Sequence, residues 1–267
     1  MKYVHGYSPR ETERLCDQSG ILEELLHGDT AYPAGSCILE AGCGVGAQTV
    51  ILARRSPGAQ FISIDISEES LEKARASAAE KNSANVEFRH ADVASLPFDS
   101  GHFDHAFVCF VLEHVDNPGH VLEELKRVLK PGGTITAIEG DHGSCFWHPE
   151  TADGRRVWES FIEVQRALGH DPTIGRRLCP LVAQAGFVLN HTSPRIVYGD
   201  AHHPVLLDGM VNKIIVPMLQ TGKKGAIESG LIDKQTWARG IADIEKSGKL
   251  PGGTFFYTWF KVVAGKQ

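Results

Sequence analysis

Two stretches of this 267-residue chain concentrate residue types that can do chemistry. In Ile38-Leu39-Glu40-Ala41-Gly42-Cys43-Gly44-Val45-Gly46 a short apolar run stops at an acid and passes into alternating glycines. A residue without Cβ lets the backbone take φ > 0 and lets a ligand lie against the main chain, and a helix from 47 to 55 would point its N–H groups at the same spot. That arrangement suits a nucleoside-type cofactor. Gly42, Gly44 and Ala47 also fit the G-x-G-x-x-G/A dinucleotide pattern, with Asp65 about twenty residues on as a ribose acid, so the loop alone leaves the cofactor open. The second stretch is Glu139-Gly140-Asp141-His142-Gly143-Ser144, with three ionisable side chains and two glycines. Like charges and burial raise a carboxyl pKa, and a neighbouring acid raises that of an imidazole, so such a cluster can set a base near neutrality. Asp141 and His142 are the candidates there, and His114 is a third.

These residues need strands and helices to bring them to one edge. From Cys37 to Ala91 the chain alternates strand and helix in the manner that builds a parallel sheet. Gln60–Asp65 reads as the second strand, and Ser67 caps a helix with Leu71, Ala74 and Ala78 at helical spacing. Residues 85–92 alternate as a third strand ending at Asp92. Phe103–Phe110 is nearly continuously apolar, as a strand covered on both faces should be. The stretch 118–130 reads as an amphipathic helix stopped by Pro131-Gly132-Gly133, and Thr134–Ile138 as the fifth strand. Asp65 and Asp92 then stand at carboxyl ends of strands, the rim where open α/β sheets bind ligands.

The order Glu40-Ala-Gly42-Cys43-Gly44-Val-Gly46, Ile64-Asp65, Ala91-Asp92, Phe103-Asp104 and Leu129-Lys130-Pro131-Gly132-Gly133 resembles the class I S-adenosylmethionine-dependent methyltransferases over roughly residues 36–141. The resemblance implies an α/β, Rossmann-like, doubly wound, mostly parallel sheet of seven strands, the last antiparallel, with helical caps. It implies S-adenosyl-L-methionine as methyl donor, S-adenosyl-L-homocysteine as product, and a small organic acceptor with an O, N, S or C nucleophile. The cofactor site it implies is Glu40, Gly42, Cys43, Gly44, Asp65, Ile66, Asp92, Val93 and Cys109, with Asp92 accepting from the adenine amino group. Phe110 and Glu139 are expected beside the acceptor, with Tyr3 and Tyr7 on an N-terminal lid. An acid-rich, cation-free rim suits an ammonium and a sulfonium better than a pyrophosphate, which argues against the alternative, an NAD(P)-dependent oxidoreductase. A non-methylating cofactor-binding protein of the same fold is the other alternative.

The remaining chain is expected to add to the same domain. Residues 1–34 read as a helical lid segment, starting at Ser8-Pro9-Arg10-Glu11 and broken at Gly20. Residues 35–145 form the expected cofactor-binding core. Residues 146–267 are expected to complete the sheet, with a sixth strand over 187–197, a last strand over 252–263, and helical caps at 146–170 and 202–248. Lys+Arg 27 against Asp+Glu 33 gives a formal net charge of -6. Basic residues come in pairs rather than runs, so neither nucleic acid nor a membrane surface is an expected partner, and a homodimer stays open. Six scattered cysteines lack metal-ligand spacing, so no metal is expected and the thiols read as reduced. The lack of a signal-like or ~18-residue apolar run points to a cytoplasmic protein.

Overall fold

The computed structural model describes residues 9–267, so Tyr3, Tyr7 and the expected Ser8 cap lie outside the described residues. The described chain divides into two compact units that interleave along the sequence. The sheet unit comprises Glu23–Gly140, Ile174–Arg195 and Trp259–Gln267, and the helical unit comprises residues 9–22, Asp141–Thr173 and Ile196–Thr258. Eight strands occur among the described residues, mostly parallel and flanked by helices, against the seven expected.

In the sheet unit, β1 (Cys37–Ala41), β2 (Gln60–Asp65), β3 (Val86–His90), β4 (Phe103–Cys109) and β5 (Leu129–Gly140) are parallel and lie in the order β3-β2-β1-β4-β5. β8 (Thr254–Gly265) closes this series antiparallel to β5, pairing Thr134 with Gly265 through to Gly140 with Trp259. β7 (Val188–Gly199) also pairs with β8. The order reverses between β1 and β4, so the loops leaving these two strands face one crevice at their carboxyl ends. Helices α2 (Thr49–Arg55), α3 (Glu68–Glu80), α4 (Pro118–Val128) and α6 (Leu178–Gln184) flank the sheet. The core joins Leu39, Ile64, Ala106, Val108, Ile135 and Ala137 of the strands to Leu122, Leu125 and Val128 of α4. Ser67 caps α3 by accepting from Ser70 N, and Asn117 caps α4 by accepting from His120 N.

Helix α1 (Pro9–His27) runs unbroken through Gly20. A glycine inside a helix costs about 1 kcal/mol against alanine, too little to break a helix whose Leu22 and Leu26 are buried. α4 ends at Val128, and β5 begins at Leu129, ahead of the expected Pro131 stop; a shift of register between Phe103 and His105 absorbs the extra residues.

The helical unit contains α5 (Ala152–Ala167), α7 (Pro204–Asp208), α8 (Val216–Glu228) and α9 (Lys234–Ser247). Its α5 packs on α8 so closely that a Cβ at Gly222 would come within 2.6 Å of the Phe161 ring. The eighth strand, β6 (Phe146–His148), pairs antiparallel with Thr254–Phe256. Its residues alternate exposed, buried, exposed, a period-two pattern hidden in the stretch expected to start a cap helix. That helix starts at Ala152, where Thr151 Oγ1 accepts from Gly154 N at 3.0 Å. Residues Gly209–Ile215 form a π-helical stretch ahead of α8. Pro217 explains it, since its ring excludes the α-helical bond to the carbonyl four residues earlier.

Candidate cofactor site

The loop after β1 is built from left-handed glycines: Gly42, Gly44 and Gly46 have φ of 75°, 54° and 78°. Each is glycine for a different reason. A Cβ on Gly42 would stand 2.4 Å from Val111 Cγ2, and one on Gly46 would stand 3.0 Å from the Ala74 backbone, so both are held by close approach of protein. A Cβ on Gly44 meets nothing within 4 Å. Open space over a left-handed glycine is where a ligand can lie against the main chain. Gly42 N and Cys43 N both donate to Ile64 O at 2.9 Å, tying the loop to the end of β2.

Asp65, the last residue of β2, accepts from Gly44 N at 2.8 Å through Oδ2 and from Ser67 N at 2.9 Å through Oδ1. Its carboxylate thus bridges the glycine loop and the α3 N-terminus. Asp92 lies exposed beyond β3 and accepts from Ala94 N at 2.8 Å, with the buried Val93 between them. Ile66 is 48 % exposed beside Asp65, and His90 Nε2 lies 2.9 Å from its carbonyl oxygen. Ile66 thus presents an apolar side chain to solvent at the end of β2. His90, at the end of an alternating strand that gave no signal beyond its register, ties down the Ile66 backbone through this contact.

Glu40 is buried and accepts from Ser63 Oγ at 2.6 Å. Burial pushes its carboxyl from the ordinary 4.5 up to about 7, with the Asp65 charge adding to the rise. Cys43 and Cys109 are buried and their thiols are pushed above the usual range by burial, so neither is a thiolate nucleophile. After β4, Phe110 takes φ of 59°, a left-handed conformation rare for a bulky side chain. Glu139 explains how it is held there. Its Oε1 accepts from Val111 N at 3.0 Å and Leu112 N at 2.7 Å, while Phe110 N donates to Ile138 O. Glu139 is fully buried, with its carboxyl raised well above the usual range by burial and by Glu113, and it holds the loop through Oε1. His114 is buried on the same loop, its Nε2 3.5 Å from Glu113 Oε1.

The structure places Asp141 and His142 in the helical unit. Asp141 accepts from Gly143 N at 2.9 Å, closing the turn it starts. His142 Nδ1 lies 2.6 Å from Tyr257 Oη, and Trp158 Nε1 donates to the His142 carbonyl. Burial, with a smaller contribution from the Arg14 charge, lowers the His142 pKa to about 3, so the imidazole is neutral near pH 7. Among the described residues no group of three or more His, Cys, Asp or Glu is placed to hold a metal, and no helix is long and apolar enough to cross a membrane.

Residues 39–137 match the family model of a methyltransferase domain, and the matched span runs from β1 into β5 through the glycine loop, Asp65, Asp92 and Phe110. Residues 39–137 form a methyltransferase domain. It is 35 % identical over 199 residues to an uncharacterized 37.1 kDa transposon protein of Streptomyces fradiae, covering 67 % of this chain and 54 % of that one. It is 38 % identical over 109 residues to a demethylmenaquinone methyltransferase of Lactococcus lactis, covering 40 % of this chain and 43 % of that enzyme. The chain thus spans about half the length of these curated relatives. Among solved structures, the domain and its flanking elements superpose on a [4+2]-cyclase with a TM-score of 0.55 at 19 % identity, over 99 % of this chain and 85 % of the cyclase. A shared fold at that identity leaves the reaction to be argued from the site.

Proposed function

We propose that the protein is an S-adenosylmethionine-dependent methyltransferase acting on a small organic acceptor. The observation that carries this reading is Gly44, left-handed and open to space beside the rim carboxylates Asp65 and Asp92, inside a methyltransferase domain. The residues fit the donor. Asp65 offers a carboxylate to ribose hydroxyls, Ile66 and Val93 offer apolar surface and backbone to the base, and buried Glu40 offers negative charge to a cationic methionine end. When bound, the donor supplies a methyl group already activated on a sulfonium sulfur, which is transferred to the acceptor nucleophile while the bonding pair stays on sulfur. The protein's own work is to align the reactants and exclude water. Phe110 and the loop clamped by Glu139 form a fixed wall for that purpose. The free state of all six cysteines accords with a cytoplasmic protein.

Thermal unfolding with S-adenosylmethionine, S-adenosylhomocysteine, NAD and NADP tests the reading. A ligand at ~100 times its dissociation constant stabilises by about 2.7 kcal/mol, each kcal/mol being worth roughly 2–4 °C in a domain of this size. The expected shift appears with the methionine-derived pair alone, and a shift with a dinucleotide alone overturns it. Asp65→Ala should weaken S-adenosylhomocysteine binding by ~1–3 kcal/mol; an unchanged affinity removes Asp65 from the site. Release of S-adenosylhomocysteine in the presence of acceptor then separates a methyltransferase from a non-methylating relative of the fold.

A further inference from the structure

β3 is the outer strand of the sheet beyond β2, and among the described residues it pairs with β2 alone. An open edge presents unpaired N–H and C=O groups, which proteins blunt with short strands, prolines or charged side chains. β6 has three residues, and β7 carries Pro194. β3, Val86-Glu87-Phe88-Arg89-His90, has five residues and no proline. Its acid and its arginine are opposite in sign and stand symmetrically about Phe88.

The register decides which backbone groups face outwards. Phe61 N donates to Asn85 O, and Ala91 N donates to Asp65 O. Alternate residues of a parallel strand bond to a given neighbour, so Glu87 and Arg89 turn their N–H and C=O towards β2. Val86, Phe88 and His90 turn theirs to the open edge. The side chains alternate as well. Val86 and Phe88 line an open groove together with Arg75 and Ala79 of α3 and Asn82 just beyond it. Glu87 and Arg89 stand on the other face, 59 % and 45 % exposed, with Arg89 donating to both carboxylate oxygens of Glu87 at 2.6 and 3.0 Å.

We propose that the β3 edge is the dimer interface of this protein, pairing antiparallel with β3 of a second copy about a twofold axis at Phe88. A twofold contact sets the residue on the axis against itself and reverses the order around it. Phe88 then meets Phe88 of the copy, and Val86 meets His90. These are the residues whose backbone groups point outwards, so each pair exchanges both of its N–H···O bonds. Glu87 stands opposite Arg89 of the copy on both sides of the axis, at the pairs where antiparallel side chains come closest. Moving the axis by one residue would set Glu87 against Glu87 or Arg89 against Arg89, so charge selects the register. The groove beside α3 leaves space for the copy's Phe88 next to Phe88, as an aromatic cross-strand pair. This contact is independent of the methyl-transfer reading.

Sedimentation velocity of the full chain tests the proposal. The parent is expected at twice its 29.1 kDa mass at micromolar concentration. Glu87→Arg and Arg89→Glu each set like charges face to face, and each should weaken the dimer by about tenfold or more. Mixed in equal amounts, the two variants again place opposite charges across the axis at both positions, and should form a mixed dimer close to the parent in strength. Neither variant keeps the Glu87–Arg89 pair within its own chain, so recovery on mixing reads the contact between chains and not the stability of the strand. Phe88→Pro removes an outward N–H and no bond to β2, and should give a folded monomer, its Tm being measured alongside. If Phe88→Pro does not fold, the mixing experiment decides alone. A parent that is monomeric at micromolar concentration overturns the proposal. So does a dimer that both charge reversals leave intact, or a pair of variants that stay apart on mixing.

Discussion

Glu40 makes a quantitative prediction about how the protein senses its ligand's charge. Free, its buried carboxyl titrates near 7 instead of 4.5, so it holds a proton through mildly acidic conditions. A ligand that brings positive charge to the end of β1 favours the carboxylate and expels that proton. A complete return to the ordinary 4.5 is worth about 3 kcal/mol, at about 1.4 kcal/mol per pH unit. The sign follows from linkage: affinity for a cationic ligand rises with pH, by up to about tenfold per unit, and levels off above the free pKa of about 7.

The assay is isothermal calorimetry at pH ~6 in two buffers of different ionisation enthalpy, which counts protons released on binding. S-adenosylhomocysteine carries an ammonium group and should release close to one proton, whereas 5′-methylthioadenosine, which lacks that group, should release none. Glu40→Gln should abolish the release and weaken S-adenosylhomocysteine at high pH by ~1.5–3 kcal/mol, the scale of a hydrogen bond to a charged group. Without ligand the raised pKa costs stability, a cost that grows from pH 4.5 to about 7 and persists above. Glu40→Gln should therefore be more stable than the parent above neutrality. Binding of S-adenosylhomocysteine with no proton released, or a release that survives Glu40→Gln, refutes the reasoning.

Other substitutions test the scaffold. Gly42→Ala puts a methyl 2.4 Å from Val111 Cγ2 at φ of 75° and should cost ~1–3 kcal/mol in denaturant unfolding, with part restored by Val111→Ala. Full additivity of the two would mean that the overlap does not decide the cost. Glu139→Gln keeps an oxygen for Val111 N and Leu112 N and should stay close to the parent in turnover; Glu139→Ala leaves both without their acceptor and should lower kcat at least tenfold. Equal turnover in both variants removes the clamp from the argument. Lys261 is buried, with Nζ donating to Asp29 Oδ1, Thr30 Oγ1 and the Leu26 carbonyl, so Lys261→Met should destabilise by ~1–3 kcal/mol in the same unfolding assay.

What was legible in the sequence was what short-range pattern encodes. Glycines at alternate positions, an acid at the end of an apolar run and Ser67 or Asn117 ahead of a helical stripe are local signals, and they fixed the strands, the rim and the family resemblance. Burial is not local. Glu139 and Asp65 both stand at strand ends, yet one is enclosed and holds backbone while the other faces the glycine loop, a difference set by the neighbouring β4 loop. His142 looked like a base because two acids flank it in sequence. Three-dimensional burial among aromatic rings reverses the sign of its pKa shift.

Phe110 gives the last test, because its strain has a direction. A side chain at φ of 59° costs roughly 1–2 kcal/mol that glycine would not incur, and the backbone is kept there by Glu139 and the Ile138 carbonyl. Phe110→Ala and Phe110→Gly both remove the ring and differ only in backbone preference. In most positions alanine is the more stable of the two, because glycine has more freedom to lose. Here glycine should be more stable than alanine by ~1 kcal/mol, provided the loop keeps its conformation without ligand. Both should lose turnover together if the half-buried ring is a wall of the site. Alanine outranking glycine would mean that the loop relaxes in solution, and that Glu139 does not hold the left-handed turn.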